Sequence, residues 1–210
     1  MSRVITITEA LRELKLYGNK INKAINSVVF VGSKKKSSDK VGVVDVKVFS
    51  QDATSGYQSV VDLMENRDKI KKAVVQSNAV TTVEINGIKY TVAEAIETKK
   101  NIAEKKLFLE VLEAQYANAQ SAVIRENKRV DAQIDKMLET YVGKDSDKKI
   151  SEIDLSVISD PYRAKNEFEL VDPIKIADKI KELEDFIDGF ESEVDVKLAI
   201  SNSITHIEIE

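Results

Sequence analysis

Apolar positions recur along most of this chain at steps of three and four, the spacing that gathers them on one face of an α-helix. Leu11, Leu14, Ile21 and Ile25 predict a first helix from about Thr8 to Ser27, with Gly18 as a weak point inside it. Phe49, Ala53, Val60, Leu63, Ile70 and Val74 predict a second, from about Asp45 to Gln76. A third runs from Thr91 to about Tyr141 without Pro or Gly, its stripe passing through Ile96, Leu109, Leu112, Tyr116, Val123, Val130, Ile134 and Leu138. At 1.5 Å per residue this helix is roughly 75 Å long, too long for a compact domain, so it must pack along other helices of this chain or of neighbouring copies. Asp172 as cap and Pro173 in the first turn open a fourth helix, carrying Ile176, Ile180, Leu183, Ile187, Phe190, Val194 and Leu198 to about Ala199.

Alternation with a period of two marks short strands at Val4–Ile7, Thr82–Ile85, Ile88–Tyr90 and Thr205–Ile209. Asn86-Gly87 between the middle two is a strong hairpin signal, because both residues tolerate the positive φ of a type I′ turn. A single small antiparallel sheet built from these strands would bring the chain's two ends together beside that turn.

Two segments occur twice. Thr6-Ile7-Thr8-Glu9-Ala10-Leu11 returns as Thr91-Val92-Ala93-Glu94-Ala95-Ile96, each a capping box in which Thr caps the helix and Glu reaches back to the cap. Ser77-Asn78-Ala79-Val80-Thr81-Thr82-Val83-Glu84-Ile85 returns as Ser201-Asn202-Ser203-Ile204-Thr205-His206-Ile207-Glu208-Ile209. Ile70 and Val74 match Val194 and Leu198 upstream. The expected architecture is therefore mainly α: two unequal helical hairpins forming one elongated domain over 1–210, repeat one at about 4–86 and repeat two at about 87–210, with a small antiparallel sheet at one end. Asn78 and Asn202 are expected to terminate helices in the left-handed conformation.

The inter-helix connections are polar. Val28–Val31 and Val41–Val44 flank Lys34-Lys35-Lys36-Ser37-Ser38, which suggests a second small hairpin with lysines at its tip. Between the third and fourth helices lie Lys144–Lys149, an apolar stretch from Ile150 to Ile158, and Asp160-Pro161-Tyr162-Arg163, expected as a loop.

Composition narrows the function. The chain is 42% hydrophobic and 32% charged with only 7 Gly and 2 Pro, which favours long helices over a turn-rich β fold. A net charge of −4 argues against general nucleic-acid binding. Cys is absent and His206 is the one histidine, so thiolate metal sites and a Ser-His-acid triad are not suggested, and no cofactor is expected. No apolar run reaches the roughly 20 residues of a membrane span. The first residues lack a signal peptide's apolar core, so a cytoplasmic location is expected.

Glu84 and Glu208 recur and would face each other across the expected sheet, but charges at strand edges that discourage aggregation explain them better than an acid–base pair does. Arg125, Lys128 and Arg129 share part of a helical face. The favoured ligand-binding candidates are Lys34, Lys35 and Lys36 on the tip, with Tyr162 and Arg163 on the later loop. These offer charge, a guanidinium and an aromatic ring suited to a small anionic or nucleotide ligand.

Three stretches carry a resemblance: Glu9-Ala10-Leu11, the run from Ile70 through Ser77-Asn78-Ala79 to Thr91-Val92-Ala93-Glu94-Ala95, and the ending from Ile180 to Asn202 and Thr205. In these the chain resembles the septicolysin-like family of small helical proteins from Gram-positive bacteria and their phages. The resemblance implies a helical, oligomeric fold, and the family name implies a cytolysin. No signal peptide or membrane-inserting hairpin accompanies it here. The expected function is a non-enzymatic homo-oligomeric assembly or binding protein of phage or prophage origin. The alternative is a phage anti-defence sponge that sequesters a nucleotide-type immune signal in pockets between subunits.

Overall fold

A computed structural model describes residues 2–142 and 152–209, and of residues 142 and 152–155 only the backbone. The polar run Lys144–Lys149 lies outside the described residues. The fold is mainly α with small β elements. In chain order it comprises β1 (Arg3–Thr6), α1 (Ile7–Ser27), β2 (Lys40–Val41), β3 (Val44–Asp45), α2 (Val46–Val80), β4 (Thr82–Ile85), β5 (Ile88–Thr91), α3 (Val92–Val142), α4 (Glu152–Asn166), α5 (Ile176–Ile204) and β6 (His206–Ile209). The chain divides into two compact units, Met1–Lys100 with Gly189–Glu210, and Asn101–Asp188. Both repeats contribute to the first.

Both capping boxes form. The Thr6 N–H donates to Glu9 at 2.8 Å, while the Glu9 N–H donates to the Thr6 hydroxyl at 3.2 Å. Thr91 and Glu94 repeat this at 2.7 and 3.1 Å. Each box satisfies two of the N–H groups that a helix start leaves without intrahelical partners.

The expected single sheet is two separate two-stranded ladders, β1 with β6 and β4 with β5, and β2 with β3 forms another among the described residues. Asn86 and Gly87 have φ of 48° and 71°, as the type I′ turn requires, so β4–β5 closes locally. The β1–β6 ladder pairs strands from opposite ends of the sequence, yet its register is equivalent. Thr6↔His206, Ile5↔Ile207, Val4↔Glu208 and Arg3↔Ile209 correspond position by position to Thr91↔Thr82, Tyr90↔Val83, Lys89↔Glu84 and Ile88↔Ile85. One further bond extends each ladder into its helix, Ile7 N–H to Thr205 O at 3.0 Å and Val92 N–H to Thr81 O at 2.8 Å.

The equivalence exposes a reciprocal exchange of strands. β6 ends repeat two, but Ile207 and Ile209 are buried in a core with Ile7 and Ala10 of α1 and Ile70 and Val74 of α2. β4 ends repeat one's helices, but it joins β5, whose turn and aromatic ring lie on α5. There the Tyr90 and Phe190 rings meet edge to face with centroids 5.8 Å apart. The equivalent positions Val83, Ile85, Val92, Ala95 and Val194 are buried as well. Each half thus completes its apolar core with the other's last strand.

Other expectations change. Asn78 and Asn202 lie inside α2 and α5, not in left-handed positions; the helices run on to Val80 and Ile204. In both, the Thr after the helix donates its N–H to the same Ser carbonyl, Thr81 to Ser77 and Thr205 to Ser201, each at 2.9 Å. The second hairpin uses β2 and β3 around Gly42-Val43, with Gly42 at φ 61°, while Val28–Val31 forms no strand. Asp160–Arg163 is helical, within α4, despite Pro161. Helix α5 begins three residues after Pro173. Asp172 accepts the Ile176 N–H at 2.9 Å across a turn in which Lys175 takes a φ of 56°.

Candidate functional site

Lys34, Lys35 and Lys36 are exposed in the irregular segment between α1 and β2, not at a hairpin tip. The Lys34 Nζ folds back onto the Ser38 carbonyl at 2.8 Å. Tyr162 and Arg163 belong to the other unit and to α4. Tyr162 is half-buried, and the Arg163 guanidinium is held by Asp131 of α3 at 2.8 Å. Arg125 and Arg129 both bind Glu126, at 3.1 and 2.9 Å. That pairing, the Arg125 bond first, holds the Glu126 carboxyl below the usual carboxylate range.

Glu84 and Glu208 sit in different ladders, opposite Lys89 and Val4, so they do not face each other. His206 is exposed, with its Nδ1 3.0 Å from the Ile204 carbonyl. The shifted carboxyls Glu9 and Glu94 are lowered by the backbone N–H of Thr6 and Thr91 and then by those hydroxyls, which is the work of a helix cap.

Two surfaces missed in the sequence stand out. The first is a groove of about 530 Å³ in the first unit, between β1, α1 and α2. It is lined by Arg3, Arg12, Glu13, Leu16, Tyr17, Lys20, Asn66, Lys69, Ile70 and Ile209. Its four cations face one carboxylate, and Arg3 engages that carboxylate through Nη1 to Glu13 Oε1 at 2.8 Å. The Glu13 bond keeps Arg3 firmly protonated. Lys20 lies 5.7 Å from the Tyr17 ring centroid, within cation–π range. A second groove, of about 460 Å³, shares Lys69 and Ile209 and adds Lys72, Gln76 and Glu208. Pairs three and four apart on α1, with Lys69 one turn from Ala73 on α2, converge here only because the helices are antiparallel neighbours. Helical spacing in α1 was the signal available.

The second surface lies in the other unit. Leu107, Phe108 and Val111 of α3 are 62%, 57% and 42% exposed, although each is a large apolar side chain. Phe108 and Leu112 line an apolar groove of about 430 Å³ with Ile174, Lys179, Glu182 and Leu183. The segment ahead of α5 adds exposed Phe168, Val171 and Ile174. It is tied to α3 by a two-point amide clamp: Asn127 donates to the Phe168 carbonyl at 2.9 Å and accepts the Phe168 N–H at 2.8 Å.

No helix among the described residues is long and apolar enough to cross a membrane. Compared with protein-family models, curated proteins and solved structures, the chain matches none of them.

Proposed function

We propose that the protein is a non-enzymatic assembly protein whose copies associate through the apolar face of the second unit. The observation that carries this reading is the exposure of Leu107, Phe108 and Val111 together on α3, beside a groove floored by Leu112 and Leu183. Contiguous exposed apolar side chains of this kind mark interaction surfaces more often than they stand idle on a monomer. A second copy of the chain is the favoured occupant. The septicolysin-like resemblance adds an expectation of an oligomer, and a phage or prophage origin and a cytoplasmic site of action belong to the same proposal.

Sedimentation velocity at micromolar concentration tests it. The wild-type chain is expected to sediment as a discrete oligomer, and Phe108→Glu with Leu107→Glu as a monomer of unchanged helical content. A wild-type monomer across the whole concentration range ends the proposal.

A further inference from the structure

The two repeats share one framework, so a position where their chemistry differs marks something that one half does alone. Counting from the paired caps Thr6 and Thr91, Arg12 aligns with Glu97. Counting from Ser77 and Ser201, Asn66 aligns with Phe190, and Lys69 with Glu193. In repeat two this place is closed. Phe190 is 1% exposed and packs on Tyr90, the Asn86 side chain lies over Gly189, and Glu193 accepts the Asn86 N–H at 2.9 Å. In repeat one the same place is open. Asn66 is exposed where Phe190 fills, no Asn-Gly turn crosses between β1 and β6, and two carboxylate positions have become Arg12 and Lys69.

We propose that the groove of repeat one is a binding site for a small, multiply charged anion of the phosphate type. Its volume of about 530 Å³ suits a small ligand. Arg3 is occupied by Glu13, which leaves Arg12, Lys20 and Lys69, none of them in an ion pair among the described residues. These three cations line one concavity, with Arg12 in Coulombic reach of Glu9 and Lys20 over the Tyr17 ring, and an anion of matching charge can accept charge-assisted hydrogen bonds from them. The Arg12 guanidinium supplies a planar fork and the lysines supply point charges. The chain's net charge of −4 opposes a long polyanion, which would meet acidic surface beyond the groove. This site lies in the first unit and does not depend on self-association.

Isothermal titration calorimetry of the full chain with pyrophosphate at low salt is the test, with adenosine as an uncharged probe. Pyrophosphate is expected to bind, and adenosine not to. Arg12→Glu with Lys69→Glu, which installs the charges repeat two carries, should weaken pyrophosphate binding by about tenfold or more, as should Asn66→Phe, which fills the groove. Lys71→Glu changes the surface charge by the same sign outside the groove and should leave binding within about twofold. A thermal melt confirms that each variant folds, and Lys69→Met serves if the double substitution does not. The site is overturned by an absence of heat with pyrophosphate, or by Lys71→Glu weakening binding as much as Lys69→Met. Tighter binding of a duplex oligonucleotide than of pyrophosphate overturns it too, because it would mark a diffuse polyanion surface.

Discussion

Glu193 accepts the backbone N–H of Asn86 at 2.9 Å, so α5 holds the turn that joins the two repeats. Gly189 makes room for it: a Cβ there would stand 2.1 Å from the Asn86 Nδ2, whereas a Cβ at Gly18 would meet nothing within 4 Å. The two glycines therefore answer differently to the same substitution. Gly18→Ala should stabilise by about 0.5–1 kcal/mol, by removing backbone freedom from the unfolded chain. Gly189→Ala should gain less than that, because the Asn86 side-chain amide must swing aside before the added methyl fits. Urea unfolding of both variants decides it, and equal stabilisation would contradict the close approach.

The exchanged strand makes a second expectation. Ile207→Ala removes a buried side chain from the core of α1 and α2, at a cost of about 2–5 kcal/mol. Amide exchange should show protection lost first in those helices, although Ile207 follows α5 in sequence. Loss confined to α5 would mean that β6 does not belong where the ladder places it.

Acid should expose the caps. Glu9 and Glu94 titrate below the ordinary carboxylate range in the folded chain, held there by Thr6 and Thr91. A depressed folded pKa means the unfolded state takes up protons first as pH falls. The stabilisation is therefore complete above the usual carboxylate range and is lost as pH drops through the lower folded value. Carboxyl NMR titration should find both depressed, and Thr6→Ala should move Glu9 part of the way back. Loss of that cap should lower stability by about 1 kcal/mol.

The amide clamp gives a fourth test. Asn127→Leu leaves the Phe168 N–H and carbonyl to water, which should cost about 1 kcal/mol at this exposed position. Limited proteolysis should then cut between Glu167 and Lys175 faster than in the wild type. An unchanged cutting rate would show that the clamp does not hold the segment.

What the sequence revealed followed the range of each interaction. Capping boxes, the Asn86-Gly87 turn and the long stripe of α3 depend on neighbours within a turn or two, and each could be read from local pattern. The partner of β6 could not. Val4–Ile7 and Thr205–Ile209 alternate in the same way as Thr82–Ile85, and alternation does not say which ladder a strand joins. Helix α4 was hidden because Asp160-Pro161 reads as a break, though the helix carries the proline. Asn78 and Asn202 suggested left-handed termini, but each helix ends instead on a Thr N–H bonded to a Ser carbonyl. The basic groove escaped because Arg3, Arg12, Lys20 and Lys69 are scattered over three elements. The reversal of charge between Arg12 and Glu97, and between Lys69 and Glu193, was visible once the repeats were aligned, and was a further signal beside the helical spacing in α1.

Because each half finishes the other, severing the peptide bond between Asn86 and Gly87 should not release two independent pieces. The fragments 1–86 and 87–210 would stay clasped, each lending the edge that the other lacks. Expressed apart, either one would have to find its counterpart, or a twin of itself, before its greasy interior was shut away from water.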